Sequence, residues 1–144
     1  NSFKQVVHLD GDQLRQDLQC EENQNYGYES RLKLGLSYAK LAKTLSNQNL
    51  IVVLSTISLF KEIHSWNRRN IHEYLEILLQ PSPAVILKRN QKNLYSDFKK
   101  LKSKNIVGLD LKANFPPTPN FQFSTFSQKD IETVERHIIK RFKG

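Results

Sequence analysis

Asp10-Gly11-Asp12-Gln13-Leu14-Arg15 is the run most able to do chemistry in this chain. Two carboxylates flank a glycine, and a guanidinium follows one helical turn after the second. A phosphotransferase needs a carboxylate to orient or deprotonate an attacking hydroxyl, or to hold Mg²⁺ through water. It also needs arginine, whose planar fork grips an anionic group through paired hydrogen bonds. The same residues have a plain structural reading, in which Asp12 caps a helix and Arg15 is solvated, because Asp-Gly-Asp is common in turns. Tyr26-Gly27-Tyr28-Glu29-Ser30-Arg31 sets a ring five residues before an arginine. That pair could stack on a base and clamp a phosphate, or the ring could pack on the core. Thr56-Ile57-Ser58 offers hydroxyls either to phosphate oxygens or to the amides of the next helix. Arg89-Asn90-Gln91-Lys92 places two cations three apart, which suits a lid over nucleotide phosphates or a polar loop between helices.

These residues must be held by regular elements. Gln5 to Leu9 is short and β-rich and runs into Asp10-Gly11, so it predicts a buried strand ending in a turn. Asp12 is the expected cap of a helix over Gln13 to Gln19, and Cys20 to Gly27 is expected to be a loop. Glu29 to Ser46 reads as a long helix with Leu32, Leu36, Ala39 and Lys43 on one stripe. Leu50 to Leu54 is apolar without alternation, the mark of a strand covered on both faces in a parallel sheet. Phe60 to Asn70 is expected to be helical, and Tyr74 to Leu79 a third strand. Pro83 suits the first turn of a helix through Lys88, and Asn93 to Lys102 reads as another. Pro116, Pro117 and Pro119 mark a loop before a last strand near Asn120 to Ser124, and Gln128 to Phe142 a terminal helix. Strands alternating with helices imply a three-layer α/β/α fold with a mostly parallel sheet. Ligands of such sheets sit beyond the carboxyl ends of the strands. Asp10, Asp12, Thr56 and Ser58 all fall there.

Composition narrows the function classes. The 144 residues suit one domain with one core, and 38% hydrophobic with 25% charged residues suits a folded chain. No apolar run is long enough to span a membrane. The single cysteine, Cys20, excludes an internal disulfide and fits a reducing cytoplasm. His8, His64, His72 and His137 lack metal-ligand spacing, and Trp66 is expected to anchor a core or an interface. The net charge of +8 is dispersed, which favours a small phosphate-rich ligand over a nucleic acid. The denser runs, Lys99 to Lys104 and Arg136 to Lys143, read as solvated helix faces.

In order and spacing, these segments resemble the adenylylsulfate kinase family, of P-loop NTPase type, over Val6 to Phe142. Asp10 to Arg15 match its Asp-Gly-Asp-x-x-Arg, Tyr26 and Arg31 its aromatic and arginine, and Ile57-Ser58 its Ile-Ser after a strand. Arg89, Lys92, Leu94 and Tyr95 match part of its lid, and Gly108 a glycine in the following loop. The resemblance implies transfer of the γ-phosphate of ATP, with Mg²⁺, to a ribose hydroxyl of a nucleotide-linked acceptor. It places Asp12 near the acceptor hydroxyl and the metal, and Ser58 and Lys92 near the transferred or donor phosphate. Asp10, Arg15, Tyr26, Arg31 and Ile57 would hold the acceptor, and Arg89, Lys92 and Gly108 the donor nucleotide. It also allows a homodimer.

The departures lie around the acceptor. Leu34 stands where the family has asparagine, Ser30 where it has aspartate, and Ile106 where it has an aromatic. Thr56 to Asn70 and Asn105 to Asp110 look like a divergent branch found in bacterial capsule polysaccharide pathways, one kind of which resembles a kinase for cytidine diphosphoramidate. No Gly-x-x-x-x-Gly-Lys-Ser/Thr can be formed from Gly11, Gly27, Gly35, Gly108 and Gly144. In the family that phosphate-binding loop, with its strand and helix, comes directly before a segment like Asn1 to Leu9. The expectation is therefore a kinase domain whose natural start lies upstream of Asn1, and which is inactive as these 144 residues alone. The alternative is a nucleotide-binding or interaction protein without catalysis.

Overall fold

The computed structural model describes residues 5–18, 27–82, 84–86, 113–125 and 127–142. They gather into two compact units. One contains the Asp-Gly-Asp run, the long helix and the loop after the second strand. The other contains the terminal helix.

In the first unit β1 (Val6–Asp10) and β2 (Ile51–Ser55) run parallel, with Val6 opposite Ile51 and Asp10 opposite Ser55. Parallel neighbours need a crossover. Helices α1 (Gly11–Asp17) and α2 (Tyr28–Ser46) lie within it. The register leaves both strands ending level, so Gly11 to Arg15 and Thr56 to Ser58 leave the ladder at the same edge.

Helix α1 begins two residues earlier than the sequence suggested, and its cap is Asp10 rather than Asp12. The Asp10 carboxylate accepts the backbone N–H groups of Asp12 at 2.9 Å and Gln13 at 3.0 Å. The last residue of a strand already has the extended backbone an N-cap needs. The helix can therefore start directly, provided Gly11 lies close against β2. A Cβ on Gly11 would stand 2.9 Å from Thr56 Oγ1 and 3.2 Å from the Ser55 carbonyl oxygen.

Helix α2 buries Gly35, Tyr38, Ala39 and Ala42. Of the predicted stripe only Ala39 is buried, while Leu32 and Leu36 are half-buried. Small side chains bring α2 close to α3 (Lys61–Asn70), which buries Ile63, His64 and Asn67. A Cβ on Gly35 would overlap the Ile63 Cδ1 methyl and sit 3.3 Å from Ser58 Oγ. His64 Nε2 bonds the Asn114 carbonyl at 2.9 Å, and the Asn114 N–H donates to the Leu59 carbonyl at 2.9 Å. Residue 114 is thus tied to α3 through His64 and to the loop that carries Ser58 through its own N–H.

In the second unit β3 (Ile77–Leu79) and β4 (Phe121–Phe123) also run parallel. The third strand is shorter than expected because the Asn120 side chain takes the Glu76 N–H at 2.8 Å and ends the ladder there. Helix α4 (Gln128–Phe142) matches its expected bounds. Ser127 and Asp130 cap it reciprocally: the Asp130 carboxylate accepts the Ser127 N–H at 2.9 Å, and Ser127 Oγ accepts the Asp130 N–H at 3.3 Å. His137 stands edge-on to Phe121 at 5.1 Å. Residues 84–86 are helical, and the helix expected over Asn93 to Lys102 lies outside the described residues. No helix among the described residues is long and apolar enough to cross a membrane.

Candidate active site

The shared edge of β1 and β2 leads into a narrow polar recess. Arg15 reaches it from α1, and Thr56, Ile57 and Ser58 from the loop after β2. Arg31, Leu34, Gly35 and Tyr38 supply the third wall from α2. The space between them is about 10 Å³, which admits one water-sized group. A larger ligand would insert a single polar group here and lie mostly outside. Thr56 Oγ1 and Ser58 Oγ lie 3.1 Å apart, so one hydroxyl donates to the other. The lining carries two guanidiniums, two hydroxyls and a phenol, and no carboxylate. That balance suits an anionic oxygen-rich group.

The predicted residues divide cleanly. The recess unites Arg15, Arg31, Ile57 and Ser58, which come from three separate segments. Ile57 is at the rim, 74% exposed. Asp10 and Asp12 do not line it. One Asp10 oxygen is committed to capping α1, and Asp12 is exposed on the first turn, three residues before Arg15. Tyr26, Arg89, Lys92 and Gly108 lie outside the described residues. The sequence reading overlooked Gly35 and Tyr38. Their signal was present: Arg31, Leu34, Gly35 and Tyr38 are spaced i, i+3, i+4 and i+7, one face of a helix.

Tyr28, two residues after the predicted aromatic, has a structural role. Its ring meets Phe60 edge-on at 5.0 Å, and its hydroxyl donates to Glu62 Oε2 at 3.1 Å. Removal from water pushes its phenol above the usual tyrosine range, and the Glu62 carboxylate adds to the effect. The pair fixes the start of α2, and so Arg31 one turn on, against α3.

Similarity to known proteins decides the family. The adenylylsulphate kinase family model matches residues 1–124. The chain belongs to the adenylylsulphate kinase family. Among curated relatives, the cytidine diphosphoramidate kinase of Campylobacter jejuni is 31% identical over 139 residues, covering 96% of this chain and 79% of that protein. The adenylyl-sulfate kinase of Pseudomonas aeruginosa is 32% identical over 141 residues, covering 94% and 71%. The APS kinase of Mycobacterium tuberculosis, solved in complex with AMPPNP and APS, superposes with a TM-score of 0.80 at 19% identity, over 99% of this chain and 82% of that one. This adenylylsulphate kinase family member therefore has the family's α/β fold.

Proposed function

We propose that the protein transfers the γ-phosphate of ATP to a hydroxyl of a nucleotide-linked acceptor, and that the recess holds an anionic group of that acceptor. The observation that carries this reading is the meeting of Arg15, Arg31 and Ser58, from three segments, at the edge where β1 and β2 end. Phosphoryl transfer depends on positioning and charge stabilisation more than on covalent chemistry. Two guanidiniums on separate helices supply both. They fix the acceptor's anion from two directions and neutralise it. The Thr56 and Ser58 hydroxyls add donors on the third side. In this reading Asp12, exposed at the start of α1, takes the acceptor's proton.

Mg²⁺ would neutralise charge on the donor phosphates when bound. No cluster of three His, Cys, Asp or Glu side chains among the described residues could hold a metal. Mg²⁺ in such sites keeps several waters and is held by phosphate oxygens and one or two carboxylates, and Asp12 would be the carboxylate to hold it through water.

Within this class, cytidine diphosphoramidate or a related compound is the favoured acceptor over adenylylsulfate. Leu34 makes part of the recess wall apolar, and a group that hydrogen-bonds there would lose its partner, at about 1–3 kcal/mol. The similarity to the Campylobacter jejuni enzyme supports the same choice. The test is an ATP-dependent assay on the protein made from its complete reading frame, with both compounds in competition. Preferential phosphorylation of cytidine diphosphoramidate is expected, and efficient preference for adenylylsulfate would overturn the acceptor assignment.

A further inference from the structure

A second concave feature lies on another side of α2, and it shares no residue with the recess. It is a shallow, open groove of about 380 Å³ between α2 and α3. Leu36 and the half-buried Trp66 form its apolar surface, with Lys61, Glu62, Ser65 and Arg69 around them. Lys43 Nζ stands 5.8 Å from the Trp66 ring centroid. Two cations of the lining, Lys61 and Arg69, therefore meet one carboxylate, Glu62, which already accepts the Tyr28 hydroxyl. Arg69 Nε donates to the Ser65 carbonyl at 3.1 Å, which holds the guanidinium stem along the helix.

We propose that this groove is a second ligand site and that its occupant is a nucleotide, with the base stacked on Trp66 and the phosphate held by Lys61 and Arg69. An indole face takes any base by stacking, and flanking cations select a phosphorylated one. The charge excess excludes a neutral aromatic as the best fit. A partner helix would need apolar anchors repeated along its length, and the groove offers only Leu36 and Trp66. The proposal goes beyond the acceptor site, because the two features occupy different faces of α2.

Trp66 is the only tryptophan of the chain, so its emission reports on the groove alone. The experiment titrates AMP and CMP, separately, into the wild-type protein, Arg31→Ala, and the double variant Lys61→Ala with Arg69→Ala. Both groove cations are exposed, and the far-UV spectrum of the double variant should match wild type. A saturable change in emission is expected, with a midpoint within about twofold of wild type in Arg31→Ala and about tenfold weaker or more in the double variant. Inorganic phosphate at equal concentration should leave the emission unchanged, because it cannot stack. Three results would overturn the proposal: no response to either nucleotide, a response lost in Arg31→Ala, or a midpoint that moves with protein concentration. The last would identify the occupant as a second copy of the chain.

Discussion

Replacing Gly35 by alanine tests whether the recess is built by close helix approach. In an open helix this change stabilises by about 0.5–1 kcal/mol, because glycine loses more backbone freedom on folding. Here the added methyl would overlap Ile63 Cδ1 and press on Ser58 Oγ at 3.3 Å. Ile63 is only 3% exposed, so its Cδ1 methyl has little free space to rotate into. Overpacking of this kind costs about 1–3 kcal/mol. Subtracting the propensity gain leaves Gly35→Ala between neutral and destabilising by about 2.5 kcal/mol, against a stabilisation in an open helix. Chemical denaturation of both proteins measures it. Ile63→Val removes the overlapping methyl, so the double variant should show a favourable coupling of about 1 kcal/mol in a mutant cycle. A Gly35→Ala protein more stable than wild type by the full open-helix amount, with no coupling to Ile63→Val, would refute the reasoning.

Other expected outcomes follow from the same geometry. Gly11→Ala should destabilise by about 1–3 kcal/mol, since the Ser55 carbonyl it would press on is backbone and cannot rotate away; the denaturation midpoint checks it. Asp130 has its carboxyl held below the usual range, first by the Ser127 hydroxyl, then by the Ser127 N–H. A lowered folded value stabilises above the unfolded one, so this contribution should fade as pH falls below about 4. Ser127→Ala should flatten that part of the pH–stability curve, as thermal melts across the acid range would show. Tyr28 has the opposite sign: its raised phenol value favours the fold until pH rises through the tyrosine range, and Tyr28→Phe should remove that alkaline loss.

The strands were legible as short apolar, β-branched runs ended by turn residues, although the burial expected of β1 is not met, since Val6 is 60% exposed. Leu50 to Leu54 reads as a strand covered on both faces; a strand does form at Ile51–Ser55, but Val53 is 46% exposed, so the coverage expected from an unbroken apolar run is only partial among the described residues. The helical spacing of Ile131, Val134 and Ile138 matches α4. Side-chain competition for backbone groups was less visible. Asn120 ends β3 by bonding the Glu76 N–H from 44 residues away, and no local pattern announces that. The cap at Asp10 was misplaced because three adjacent residues, Asp-Gly-Asp, offer two capping carboxylates. The hydrogen bonds from the Asp12 and Gln13 N–H groups to the Asp10 carboxylate show where the helix starts. In the recess, residues with charge drew attention and residues that make room did not. Arg15, Arg31 and Ser58 were foreseen, whereas Gly35 and Tyr38 act through size and burial.

The most direct test of the central claim is a steady-state comparison of wild type, Asp12→Asn and Arg31→Ala, made from the complete reading frame, with ATP saturating and the acceptor varied. The account assigns Arg31 to grip and Asp12 to the reacting hydroxyl. Arg31→Ala should therefore raise the acceptor KM with kcat little changed, while Asp12→Asn should lower kcat with KM little changed. An enzyme whose kcat and KM for the acceptor are indifferent to both substitutions would contradict the placement of the acceptor in this recess.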